Sequence, residues 1–265
     1  MSYLKRLPAR ELLTAARTYY VATTGNDAND GLAVGTPFLT IQKAIDTVAS
    51  VDTAIYGVTI QIADGTYTAA GLVLKQMTGA GTLTIQGNAG TPANVSVVSN
   101  SDSVVTLSVP GSFVVKDFKL STTGAGSNLL YVNQGILSHQ NLNFGSATAN
   151  NGTHVYAVGD GKSVCTGGYT ISGGGYAHFR SAQLGWLSAT GQTLTISAAV
   201  TFTEFAVAQY ISWATAWGLT FVNPLNVTAR RYLTEYNSVL YSGGGGANYF
   251  PGNVAGVAAN GGYYL

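Results

Sequence analysis

Charge is what this sequence has least of. Twelve Lys and Arg and eleven Asp and Glu make up 9% of 265 residues, against about 25% in an ordinary soluble domain. The net charge of +1 leaves no basic patch to neutralise phosphates, so nucleic-acid binding is not expected. Intrinsic disorder is excluded too, because it needs low hydrophobicity and high net charge, whereas 46% of these residues are hydrophobic. Cys165 is the only cysteine, which rules out an intramolecular disulfide and a Cys-based zinc site. No apolar run reaches ~18 residues, so no membrane-inserted helix is expected. The N-terminal stretch, with Lys5, Arg6, Arg10, Glu11 and Arg17, lacks the apolar centre of a secretory signal.

Glycine (34) and tyrosine (16) are abundant instead. A chain of this kind either hides its surface in an assembly or exposes one rich in hydroxyls and amides. Residues 1–19 carry the most charge and read as a short helix or arm. A polar turn comes next, at Gly25-Asn26-Asp27-Ala28-Asn29-Asp30-Gly31. Thr36 then suits an N-cap and Pro37 a first helical position, and Phe38, Ile41, Ala44, Ile45 and Val48 come after them at helical spacing. The spacing predicts a helix over about 37–50.

Beyond residue 55 the period changes to two. Short strand patterns centred on Lys119, Asn143, Thr170, Thr195 and Thr220 are separated by 24, 27, 25 and 25 residues. A second family runs through Thr106, Tyr131, Tyr156, His178 and Ala206, and a third through Val114, Leu137, Val164, Leu187 and Ala214. Three interleaved families sharing a period of about 25 residues predict an all-β parallel β-helix with three-stranded coils. No helical pattern occurs after Ser50, as a βαβ fold would require. The helix at 37–50 would cap the open N-terminal end and hide its free hydrogen-bonding groups.

Alternation assigns the faces. In the second family the outward stripe reads Thr106, Tyr131, Tyr156, His178, Ala206. This aromatic ladder fits a protein–protein interface in an oligomer, a sugar-stacking groove, or ordinary surface. Trp186 and Trp213 fall in one column, with Trp217 four residues on; they read as stacked core tryptophans or as an external platform for carbohydrate.

Catalytic chemistry is hard to find. Glycoside hydrolysis usually needs two carboxylates flanking the bond, and residues 103–229 hold only Asp117, Asp160 and Glu204, in different columns. Asp117 and Asp160 read as turn residues, and no catalytic residue is assigned. The Asn26–Gly31 run lacks the ligand spacing and terminal Glu of a calcium loop. His139, His154 and His178 show no metal-ligand spacing, so neither a metal nor a cofactor is expected. The glycine runs at 173–175 and 243–246 are not phosphate loops, and no Gly-x-Ser-x-Gly elbow occurs.

Residues 236–265 carry no charge and are rich in glycine and aromatics, including Tyr249, Phe250, Tyr263 and Tyr264. Ordering this segment in one chain would cost about 1–2 kcal/mol per residue in backbone entropy. The expectation is therefore a trimerisation segment over 229–265, with those four aromatics as its clasp, after a β-helix over 20–228.

Two stretches carry a resemblance. Tyr20-Val21-Ala22-Thr23-Thr24-Gly25-Asn26-Asp27-Ala28-Asn29-Asp30-Gly31, and then Thr36-Pro37-Phe38-Leu39-Thr40-Ile41-Gln42-Lys43-Ala44-Ile45, resembles the opening of right-handed β-helix proteins of the pectate-lyase-like superfamily, common in phage tail spikes and fibres. Gly246-Ala247-Asn248-Tyr249-Phe250-Pro251-Gly252-Asn253 with Gly261-Gly262-Tyr263 resembles the end of phage tail proteins. The resemblance covers about residues 20–50 and 229–265. It implies a homotrimeric right-handed β-helix at the virion periphery, extracellular after lysis, joined to other tail or baseplate proteins through residues 1–19 and touching a host surface glycan or receptor. Pectate-lyase relatives use calcium-binding aspartates and a catalytic arginine on one face; no such set is placed here. A polysaccharide depolymerase and a bacterial surface adhesin are the alternatives to a binding tail protein.

Overall fold

The computed structural model describes residues 10–124, 126–147 and 152–265. It is an all-β parallel solenoid of about eight turns with very little helix. Every strand pair among the described residues is parallel, and each strand bonds to strands one coil before and after it. Three faces result. The first sheet stacks Leu72–Leu74, the start of Val105–Lys116 and of Leu130–Gln140, then Thr153–Val158, Gly175–Ala182, Val200–Gln209, Val227–Thr234 and Val257–Ala258. The second runs from Arg17–Val21 and Val58–Ile62 through Lys162–Cys165, Trp186–Ala189, Trp213–Thr215 and Val239–Tyr241 to Tyr263–Tyr264. The third stacks seven strands from Gly65–Ala69 to Thr220–Val222. Two long strands, Val105–Lys116 and Leu130–Gln140, turn the corner and join the first two sheets.

The core is a stack of inward residues. Leu120, Phe144, Ile171 and Ile196 fill it from the third sheet, Phe113, Leu137 and Leu187 from the second, and Val105, Leu130, Val155 and Phe179 from the first. Glycine fits where one coil passes close over another. A Cβ on Gly161 would lie 2.0 Å from the Val132 carbonyl oxygen, so backbone would have to move. Gly161→Ala is expected to cost about 1–3 kcal/mol, read as a lower urea midpoint with an unchanged m-value.

Several expectations need correction. The helix, α1, spans Ile41–Ser50, not 37–50. Its N-cap is Thr40, whose hydroxyl accepts from Lys43 N–H at 3.2 Å. The Thr36–Phe38 stretch is drawn away into a strand-like bridge, where Phe38 N–H donates to Tyr20 O and Val21 pairs with Phe38. Apolar Ile41, Ala44, Ile45 and Val48 are buried, and α1 packs on Arg17–Val21, Val58–Ile62 and Leu72–Leu74. Residues 1–9 of the expected arm lie outside the described residues. Residues 10–16 are not helical, and 17–19 already belong to a second-sheet strand.

The third-sheet family is in register through Lys119, Asn143, Thr170 and Thr195, but Thr195 faces Val222 and Thr220 faces Thr193. The second-sheet row is Phe113–Leu137–Ser163–Leu187–Ala214, so Val114 and Val164 lie one residue out of it. Nor does the solenoid stop near residue 228. Val257 pairs with Leu233, Val239 pairs with Tyr263, and Phe250 is fully buried in the same core. The segment at 229–265 thus completes the coil stack within one chain.

Candidate functional site

The first sheet bends along a line where two successive residues turn inward. The pairs are Val104/Val105, Leu129/Leu130, His154/Val155, His178/Phe179 and Phe205/Ala206, all at most 1% exposed. Such a bend breaks period-two alternation and moves the outward positions beyond it by one residue. The outward row past the bend is therefore Thr106–Tyr131–Tyr156–Arg180–Val207–Leu233, each in register with the next. His178 and Ala206 are not on this face; both are buried in the core. Arg180 stands where alternation placed His178, and only the doubled inward residue, invisible to a strict period of two, explains the exchange.

The row forms a built constellation. The Tyr131 and Tyr156 rings meet edge to face at 5.6 Å between centroids. The Arg180 guanidinium lies 4.6 Å from the centre of the Tyr156 ring and 5.2 Å from that of Tyr176. This is a cation held between two aromatic faces. Its Nε is buried and has no hydrogen-bond partner among the described residues. Tyr176 packs on Ala177, Val207 and Leu233, a small apolar cluster outside the main core. That cluster supports the ring from below. Burial holds the Tyr131 and Tyr176 phenols above their usual range, so both remain O–H donors at neutral pH. At the other end of the row, Thr106 and Tyr131 border a hollow of about 380 Å³ with Ala70, Gly71, Val73, Asp102 and Ser103.

Glu204 and Glu235 are engaged, whereas the exposed Asp102 borders the hollow beside Tyr131. Glu204 is 1% exposed and accepts from Arg230 through Nε at 2.7 Å and through a second guanidinium nitrogen, one oxygen each. Glu235 accepts from Gln209 Nε2 at 3.0 Å. Asp117 sits at the bend between the second and third sheets and accepts from Asn141 Nδ2 at 2.8 Å; Asp160 is exposed in a turn. Asp27 and Asp30 staple their own loop: Asp27 accepts from Leu39 N, Thr40 N and Thr40 Oγ1, and Asp30 from Leu32 N and Thr36 Oγ1. The geometry provides a fixed cation, phenol donors and ring faces along one row.

No protein-family model matches the chain, and no curated protein matches it. Among solved structures, a pectin methylesterase from carrot is similar at 11% identity, covering 91% of this chain and 88% of that one, with a TM-score of 0.46. A likeness of this degree assigns neither residue nor activity.

The remaining candidates lie elsewhere. Trp186 and Trp213 are register partners on the second sheet, but they point outward and are not core tryptophans. Trp213 Nε1 donates to Thr215 Oγ1 at 2.8 Å, and the Lys162 ammonium sits 5.8 Å from the Trp186 ring centre. Trp217 is exposed in the bend beyond them. Of the four expected clasp aromatics, Phe250 is wholly inside the chain and so cannot face a partner. Tyr249 is half-buried, its hydroxyl accepting from Leu219 N–H at 2.7 Å, and Tyr264 stacks on Tyr232 at 3.7 Å. Tyr263 is exposed.

Proposed function

We propose that this chain is a phage tail-spike or tail-fibre protein, a right-handed homotrimeric solenoid at the virion periphery. In this reading α1 covers the N-terminal rung, and the stretch before Leu13 joins the virion. The first-sheet face contacts the host surface by binding a glycan that carries an acidic group. One observation carries the ligand class. Arg180 is held between Tyr156 and Tyr176, its Nε buried and without a partner among the described residues, with the Tyr131 ring against Tyr156 and in a chain otherwise poor in charge. A planar guanidinium takes a carboxylate or phosphate with paired hydrogen bonds, and flanking rings suit the apolar face of a sugar.

A glycan array probed with the full chain tests this. The expected result is retention of glycans bearing a carboxylate or phosphate over neutral analogues, weakening as salt rises. Binding confined to neutral glycans, or to none, would refute it. Release of reducing ends from a bound polysaccharide would replace the binding role with a depolymerase.

A further inference from the structure

The outward row that carries Arg180 does not begin at Thr106. Val73 is the register partner of Thr106, so the row reads Val73–Thr106–Tyr131–Tyr156–Arg180. Its first three members line the hollow of about 380 Å³, with Gly71, Asp102 and Ser103 on the side of the corner from the third sheet. Asp102 is the charged residue of that lining. Its backbone is fixed, because Asp102 N–H donates to Ala70 O at 3.1 Å and to Ser99 Oγ at 3.2 Å. Its carboxylate is exposed and holds no hydrogen bond or ion pair among the described residues. Lys75, two residues beyond Val73, is taken by Asp46 at 2.7 Å. Carboxylates in this chain otherwise serve its own structure: nine of the eleven accept a hydrogen bond from a neighbouring group. The other two are Asp102 and Asp160, and of these Asp102 borders the hollow.

The two ends of the row differ in sign. Arg180 holds one end, between Tyr156 and Tyr176. Asp102 stands in the coil of Thr106, three coils away by register. At about 4.8 Å per coil the separation along the axis is about 14 Å. The Tyr131 and Tyr156 rings, edge to face, fill the interval. One sugar ring does not reach both ends, whereas an oligosaccharide lying along the axis does. A carboxylate accepts from any hydroxyl, but an ammonium donates with its charge and is held more strongly. Opposite charges at the two ends also fix the direction in which a ligand lies.

We infer that the hollow is a second subsite of this face, where Asp102 takes the protonated amine of an amino sugar while Arg180 takes the acidic group. The ligand is then a zwitterionic glycan, with its cationic and anionic sugars about three coils apart. This rests on the glycan reading above and narrows its ligand class.

Calorimetric titration of the full chain with two matched pairs of oligosaccharides tests this. One pair alternates a uronic acid with an amino sugar, either free or N-acetylated. The other is a chitin oligosaccharide and its deacetylated form, which carry no acid. The native protein is expected to bind the free-amine member of each pair about threefold more tightly, and less so as salt rises. Asp102→Asn, a change of the same shape at an exposed position, is expected to remove that preference and leave the unfolding midpoint unchanged; Asp102→Glu is expected to keep the preference. Equal affinity for the free and N-acetylated members in the native protein, or a preference that survives in Asp102→Asn, overturns the inference. The pairs separate it from the Arg180 reading. An amine preference with no gain from the uronic acid defeats Arg180 and leaves the subsite standing, whereas a gain from the uronic acid without an amine preference does the reverse. Binding of none of the four defeats both.

Discussion

Between pH 7 and pH 5 the folded chain is expected to lose several kcal/mol of stability. The cause is three histidines inside the solenoid. His139, His154 and His178 are at most 1% exposed. Burial pushes His139 and His154 down to about 3, and burial together with its two histidine neighbours holds His178 well below the usual range. His154 and His178 share a hydrogen bond between their Nδ1 atoms at 2.9 Å, and the Tyr169 hydroxyl lies 2.7 Å from His178 Nε2. One Nδ1 must keep a lone pair for that bond, which two imidazolium rings cannot provide. Rings of Phe144, Phe179, Phe202 and Phe205 complete the surroundings.

In the unfolded chain histidine titrates near 6.5, so below that pH the unfolded state binds protons that the folded state refuses. Stability is therefore full above about pH 6.5 and falls as pH drops through it. The loss is about 1.4 kcal/mol per pH unit for each histidine, or about 2 kcal/mol each at pH 5. Urea midpoints measured at half-unit steps check this. A stability flat from pH 7 to pH 5 would show that these rings are hydrated or already charged in the folded chain.

The second large effect is at the C-terminal end. Phe250 is fully buried, with ring centroids 6.1 Å from Phe205 and 6.3 Å from Phe221. Phe250→Ala should cost about 3–5 kcal/mol, a transfer loss plus an unfilled cavity. Because the contact lies within one chain, the loss should persist at protein concentrations too low for assembly. A loss that vanishes in the monomer would return Phe250 to a clasp between chains.

Much of this architecture is legible in the sequence because a stacked coil repeats its demands. The 25-residue period locates the strands, and alternation puts Phe118, Leu142, Phe144 and Ile171 inside, where they are buried. What alternation cannot show is two inward residues in succession. That single device hides His178 in the core and brings Arg180 to the surface, so the most informative side chain of the candidate site leaves no trace in the period. The tryptophans mislead in another way: size and column suggest core, yet Trp186 and Trp213 occupy outward positions. The tail reads as coreless because Gly and Tyr give no period-two signal. Its closure comes instead from register pairs 24 residues apart, Leu233 with Val257 and Val239 with Tyr263. The helix starts after Thr40 because Asp27 ties the Leu39 and Thr40 amides to the preceding loop, a contact across 13 residues that no local cap pattern reveals.

In the function proposed for this chain, the first-sheet face recognises an anionic glycan through Arg180. Calorimetric titration of an acidic oligosaccharide into the native chain and into Arg180→Gln tests it most directly. The expected affinity is at least about tenfold weaker for the variant, the value of one charge-assisted contact, with an unchanged unfolding midpoint. Equal affinity in the two proteins would contradict it.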